Sequence, residues 1–330
     1  MKLRDEIEAL AGRPGPLSVT LVRPGALGDT ILLLPAVALL RTALQGLKLT
    51  LLGSLWAAHL APLMPCPWET EDFGDYRLVG LFSEGSSDAP PPFLRDADLT
   101  VVYTDAPDGA FVTNLTRMSV RGRVLTWPVH PPAGCHAAAH MAGALAACLP
   151  SLDELPGPEL RAPASVAERA LEWARERLPG DGPLVCVHPG GGVPRKCWPP
   201  DRYAGLIEAL VALGTRPVLT EGPADRARCA ATLECLPGHL RPPVAKPDSV
   251  EDLAALIAQA DLHVGNDSGP SHLAAALGVP TLAVFGSTDP AQWRPLGPNA
   301  CVVHATQPGG QDPWPSVEQV LEAATRLLEG

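Results

Sequence analysis

Apolar positions along this chain fall in short runs separated by polar turns, the pattern of buried strands alternating with helices. In the first half, Leu17 to Val22 reads as a buried strand, Pro24 to Asp29 as a glycine-containing turn, and Thr30 to Leu44 as an apolar helix that accommodates Pro35 with a kink. Lys48 to Gly53, Leu78 to Phe82 and Leu99 to Tyr103 are predicted strands, Ser86 to Pro92 a loop and His136 to Leu149 a helix. The proline-containing stretch Ser151 to Pro163 has little periodicity and is the predicted domain boundary. Ser165 to Leu178 follows as an amphipathic helix, with Ser165 as its cap and Glu168 completing a capping box. The alternation then begins again. Strands are predicted at Leu184 to Val187, Arg216 to Thr220, Leu262 to Gly265 and Thr281 to Phe285. Helices are predicted at Pro200 to Leu213, Pro223 to Leu236, Val250 to Gln259, Pro270 to Leu277 and Ser316 to Leu328. Short strands joined through helices imply βαβ units and parallel sheets, so the fold class is α/β. Two such halves place a ligand cleft between them, at the carboxyl ends of the strands.

The length of 330 residues suits two domains, and 46% hydrophobic with 18% charged residues describes an ordinary soluble globular chain. A net charge of −11 argues against nucleic-acid binding and against simple adhesion to an anionic bilayer. The charge is uneven: Glu69 to Asp108 holds ten acids, whereas Phe111 to Pro150 holds none and clusters Arg117, Arg121 and Arg123. That cluster is either a solvated loop or a landing site for an anionic acceptor. The 8 cysteines form no C-x-x-C pair and read as thiols of a reducing cytoplasm. Met1 to Leu10 is charged and helix-prone, unlike a signal sequence, and the apolar run Ile31 to Leu40 is too short to span a bilayer. The histidines His59, His130, His136, His140, His239, His263 and His304 show no convergent metal pattern, so no metal and no cofactor is expected.

Four turns carry candidate chemistry. From Val264 to Leu277 a short strand leads through Asp267, Ser268 and Gly269 into a helix with Pro270 in its first turn. Unpaired backbone N–H groups at such a helix start attract an anion, usually a phosphate, although a helix start alone is a common structural feature. Arg23 to Asp29 is a strand end followed by a turn with Gly25 and Gly28. Asp29 is there either a helix cap or a carboxylate facing the cleft as a general base; the G-x-G-x-x-G spacing of dinucleotide folds is absent. In His188 to Trp198, Gly190, Gly191 and Gly192 let backbone amides approach a ligand, Lys196 supplies charge for a phosphate, and Trp198 is a packing anchor. The P-loop pattern is absent. In Thr220 to Asp225, Glu221 or Asp225 serves ribose hydroxyls or caps the next helix. His272, one turn into its helix, is a positioning group.

Taken together, Arg23 to Asp29 with its apolar helix, the His188-Pro189-Gly190 loop leading to Lys196 and Trp198, and Asp267-Ser268-Gly269 with His272 through Gly286 resemble glycosyltransferase family 9. The motifs run in the family's order from about Leu17 to Pro298. The family contains the ADP-heptose:lipopolysaccharide heptosyltransferases. The resemblance implies a GT-B fold, two Rossmann-like α/β/α domains facing a central cleft. Residues 1–160 would bind the acceptor, residues 161–310 the nucleotide-sugar, and the helix in residues 311–330 would pack back on the first domain. Asp29 would be the catalytic base. Lys196, Gly190, Gly191 and the backbone of Asp267, Ser268 and Gly269 would bind the donor diphosphate, with His272 supporting them. Glu221 and Asp225 would meet the donor ribose, and Arg23, Gly28, Arg117, Arg121 and Arg123 the acceptor.

The activity so implied is inverting transfer of a heptose or related sugar from an ADP-sugar to a saccharide or glycolipid. A GT-B-fold nucleotide-sugar epimerase or a non-catalytic nucleotide-sugar-binding protein are the alternatives. The expected state is a cytoplasmic monomer with at most peripheral membrane contact. Ser268 stands where the family often has Thr, and Asp225 near where it often has Glu. The stretch Ser83 to Phe111 does not align, which leaves the acceptor open.

Overall fold

The computed structural model describes residue 10 and residues 15–85, 89–118, 120–144, 155–305 and 313–330. The expectations for Met1 to Ala9, Asp88, Cys148, the end of the His136 to Leu149 helix and the start of the 151–163 boundary lie outside the described residues. The chain divides into two compact units, Met1–Pro156 and Gly157–Gly330.

In the first unit, β1 (Ser18–Arg23), β2 (Lys48–Gly53), β3 (Glu69–Asp72), β4 (Leu99–Tyr103) and β5 (Arg123–Trp127) form one sheet in the order β3-β2-β1-β4-β5. Every pairing is parallel. The chain builds outward from β1 to β3, then returns to the other side of β1 as β4, so the order reverses between β1 and β4. Ligands of open parallel sheets gather at the carboxyl ends of the strands flanking such a reversal. Val22, Leu52 and Val102 pack under this edge with Leu78, Leu81, Leu94, Phe111 and Leu115.

Two expectations for this unit are corrected. The helix read across Thr30 to Leu44 is two helices, Leu27–Leu32 and Leu34–Ala43, meeting at Leu33. Pro35 has no N–H to continue the first helix and fits the opening turn of the second. Leu78 to Phe82 is not a strand but part of a 3₁₀ helix, Tyr76–Phe82. With three residues per turn, Leu78 and Leu81 share the buried face, and the apolar run came from that. Edge strand β3 was missed because its sequence, Glu-Thr-Glu-Asp, has no apolar residue.

In the second unit, β6 (Leu184–His188), β7 (Arg216–Thr220), β8 (Val244–Ala245), β9 (Leu262–Asn266), β10 (Thr281–Phe285) and β11 (Ala300–His304) form a parallel sheet ordered β11-β10-β9-β6-β7-β8. The order reverses between β6 and β9, whose ends align with His188 opposite Gly265. The helices Pro200–Ala212, Arg226–Glu234, Val250–Ile257 and Gly269–Ala276 fall where the periodicity put them. The helix Ala164–Arg177 is capped at Pro163, and the Ser165–Glu168 capping box does not form because Ser165 already lies inside the helix. Trp198 is fully buried in the core with Tyr203, Leu206 and Val264. The helix Val317–Glu329 starts with a Ser316–Gln319 capping box. Its buried face, Val320, Ala323 and Ala324, belongs to the second unit's core, a place that the resemblance had not given it. Among the described residues no helix is long and apolar enough to cross a membrane.

Candidate active site

The second unit's site grows from the ends of β6 and β9. Asn266, the last residue of β9, is fully buried, and its side chain binds both ends of the loop that follows β6. Its Nδ2 donates to Pro189 O at 3.0 Å and Gly190 O at 2.6 Å, while Oδ1 accepts from Trp198 N at 2.8 Å. With Trp198 anchored in the core, the span between is held and Lys196 projects from its short 3₁₀ turn, Pro194–Lys196. The Lys196 Nζ lies 2.7 Å from Asp267 Oδ2, the residue directly after β9. Thr288 Oγ1 donates to the same oxygen at 2.8 Å, and His272 Nε2 stands 3.8 Å from Oδ1. Burial works to raise the Asp267 pKa, but the His272 contact and the Lys196 ammonium outweigh it and hold the carboxyl below its ordinary value.

Ser268 is the N-cap of the helix Gly269–Ala276, yet its side chain makes no cap hydrogen bond, and its buried hydroxyl has no partner. Pro270 has no N–H, and Ser271 N and His272 N donate to Ser268 O at 3.1 and 3.2 Å, which leaves the Gly269 N–H as the outward donor of this helix start; the Lys196 ammonium uses one donor on Asp267 and has two more. A lysine and a helix start at a reversal of strand order form a cradle suited to a diphosphate. The Trp293 ring completes this side, 5.9 Å from Lys196 Nζ.

Gly190 is required by close approach: a Cβ there would lie 2.0 Å from Asp225 Oδ1 and 2.7 Å from His188 Nε2. Asp225 thus sits beneath the glycine loop, its Oδ2 accepting from Gly222 N at 3.2 Å and standing 3.5 Å from His188 Nε2. Burial lowers the His188 pKa, partly opposed by the Asp225 charge, and His188 Nδ1 meets Thr220 Oγ1 at 3.0 Å. Glu221 is paired with Lys246 Nζ at 2.8 Å. Gly191 is buried against Cys197 Sγ and Lys196 O, which a Cβ would meet at 3.0 and 3.3 Å.

In the first unit Asp29 follows β1, as expected, but it is not the helix cap. Ala26 is the N-cap and Asp29 is at N3, where its Oδ2 accepts from Ala26 N at 2.9 Å. Its Oδ1 accepts from Arg23 Nη2 at 3.1 Å, and the side chain is 29% exposed. Arg23 and Gly28, expected at the acceptor, have these surroundings. Arg23 is 7% exposed and committed to Asp29 and the Pro24 carbonyl, and Gly28 is buried in the first turn of the helix Leu27–Leu32.

The arginine cluster, also expected at the acceptor, lies elsewhere in the sheet than Asp29. Arg123 opens β5, Arg121 pairs with Asp98 just before β4, and Arg117 ends the helix Ala110–Arg117. All three lie at the amino ends of the parallel strands, whereas Asp29 follows a carboxyl end. Strand length alone separates the two edges by about 15 Å. Sequence reading missed Asn266 and Thr288. Asn266 was legible as a polar residue ending an apolar strand; Thr288 meets Asp267 only through the fold. Among the described residues no cluster of His, Cys, Asp or Glu could hold a metal ion.

Each of the two parallel α/β units thus carries charged side chains at a reversal of its strand order, where ligands of such sheets gather. A match to the family described as Glycosyltransferase family 9 (heptosyltransferase) spans residues 117–313, more than half of the chain, and the chain belongs to that family. It is 39% identical over 118 residues to lipopolysaccharide heptosyltransferase 3 of Escherichia coli, covering 35% of this chain and 34% of that protein. It is 31% identical over 163 residues to lipooligosaccharide heptosyltransferase 2 of Haemophilus influenzae, covering 47% of each. The chain thus spans about a third to a half of the length of these curated relatives. The crystal structure of the glycosyl transferase family 9 protein from Veillonella parvula shares the fold, with a TM-score of 0.78 at 21% identity over 96% of this chain and 99% of that one. E. coli ADP-heptose lps heptosyltransferase II does so with a TM-score of 0.75 at 20% identity, over 95% and 99%. The fold is therefore the GT-B class.

Proposed function

We propose that the protein is an inverting glycosyltransferase that moves a heptose, or a related sugar, from an ADP-sugar to a saccharide or glycolipid acceptor of the lipopolysaccharide type. The observation that carries this reading is the cradle at the β6/β9 reversal: Lys196 beside a helix start whose cap hydroxyl, on Ser268, is unpartnered. The second unit holds the donor there. Asp29 takes the proton of the acceptor hydroxyl as its oxygen attacks the anomeric carbon, and the bond from that carbon to the diphosphate breaks. Lys196 and the Gly269 N–H at the helix start receive the charge of the departing ADP. Attack opposite the leaving group inverts the anomeric centre, with no covalent intermediate. The heptose donor is supported by the names of the relatives and by an E. coli heptosyltransferase solved with ADP-2-deoxy-2-fluoro heptose.

Two experiments test this. In a thermal-shift panel of ADP, UDP and GDP, ADP stabilises most; mass action gives about 2.7 kcal/mol at a hundredfold excess over its dissociation constant. Asp29→Asn keeps folding and ADP binding but loses transfer from ADP-heptose to a deacylated lipopolysaccharide core. Unchanged turnover in that variant removes the base assignment.

A further inference from the structure

Arg23 ends β1 and is 7% exposed, an unusual position for a guanidinium. Its Nη1 donates to Pro24 O at 2.6 Å and its Nη2 to Asp29 Oδ1 at 3.1 Å, while Nε is buried without a partner. Ala26 N reaches the other Asp29 oxygen at 2.9 Å. The two donors each hold a different oxygen, so together they set the rotation of the carboxylate. Gly25 is fitted into the same assembly: a Cβ there would stand 2.9 Å from both Arg23 Nη1 and Asp29 Cβ. Ser54 Oγ donates to Gly25 O at 2.6 Å and ties the turn to the end of β2.

We propose that Arg23 is a positioning residue for Asp29, holding the carboxylate in the rotamer from which it takes the acceptor's proton. The inference rests on Asp29 being the base. Arg23 meets no substrate in this role; it is buried, whereas the Asp29 side chain is 29% exposed. Each Asp29 oxygen uses one lone pair on its donor and has another for the incoming hydroxyl. A planar guanidinium suits the task because it spans the Pro24 carbonyl and the carboxylate at once, which a single ammonium does not.

The test is a double-mutant cycle on the full chain, with ADP-heptose and a deacylated lipopolysaccharide core as substrates. Arg23→Gln lowers kcat about tenfold to a hundredfold with the donor KM and ADP affinity unchanged, since a misplaced base costs rate and not donor binding. In the Asp29→Asn background the same substitution brings no further loss, because the residue acts through the one already removed. Arg23→Lys falls between wild type and Arg23→Gln, and it runs the same cycle should Arg23→Gln fail to fold. An unchanged kcat, or an equal loss in both backgrounds, overturns the positioning role. Full turnover in Asp29→Asn alone instead overturns the base assignment, so the two failures are told apart.

Discussion

The Lys196 ammonium lies 2.7 Å from Asp267 Oδ2, although 71 positions separate them along the chain. They meet because β6 and β9 are neighbours in the sheet and each residue follows its strand's carboxyl end. Asp267 is 4% exposed and Lys196 26%, so the carboxylate is the more dependent partner. Removing the lysine leaves a buried charge with Thr288 and His272 as its remaining contacts. Lys196→Gln is therefore expected to lower stability by about 1–2 kcal/mol, and Lys196→Gln/Asp267→Asn to recover part of it. Urea unfolding checks the stability, and calorimetry with ADP should show about tenfold weaker binding in both variants.

Asn266 fixes the loop that bears Lys196. Asn266→Ala removes three hydrogen bonds and strands two buried carbonyls and one N–H. The expected cost is about 2–4 kcal/mol, with a raised donor KM. A melting curve that matches the wild type would show that the loop is held otherwise.

The glycine loop has no room at Gly190, where a Cβ would fall 2.0 Å from Asp225 Oδ1, whereas at Gly238 it meets nothing within 4 Å. Gly190→Ala should weaken ADP binding at least about tenfold by displacing the loop or Asp225. Gly238→Ala should leave it unchanged, as titration calorimetry on both variants will show.

Stability should fall on acidification because of His263. Burial, with the His188 charge adding to it, pushes its pKa down from 6.5 to about 3. Between those values the unfolded chain binds a proton that the native state refuses, so stability declines as pH is lowered from about 6.5 towards 3. Asp267 adds a second loss at lower pH. Its pKa is held below 3.8, so the stability it confers is present above that value and vanishes as pH drops through the depressed one. Melting temperatures from pH 7.5 to 4.5 should decline less steeply in His263→Gln than in the wild type.

The arginines at the amino ends of the first sheet should not touch the reaction. Arg117→Ala and Arg123→Gln are expected to leave the acceptor KM within about twofold of wild type, since they lie an edge away from Asp29. A severalfold rise in that KM would return the cluster to the acceptor site.

The α/β class, the two-part organisation and the turns after β1, β6 and β9 were legible in the sequence. Buried parallel strands read as apolar runs, and glycine, proline and a polar residue mark each strand end. The edge strand β3 was not, because it has no apolar residue, nor was the 3₁₀ segment Tyr76–Phe82, because alternation and a period of three look alike over five residues. Which charges pair was decided only by tertiary structure. Local pattern names Arg23, Asp29, Lys196 and Asp267 as candidates, but whether each faces a ligand or another side chain depends on strand order and on burial. Those put Arg23 beneath Asp29 and Lys196 against Asp267, and they carried the arginine cluster to the opposite edge of its sheet. Contacts between residues far apart in sequence arise from the packing of whole strands, and no short window of residues encodes that packing.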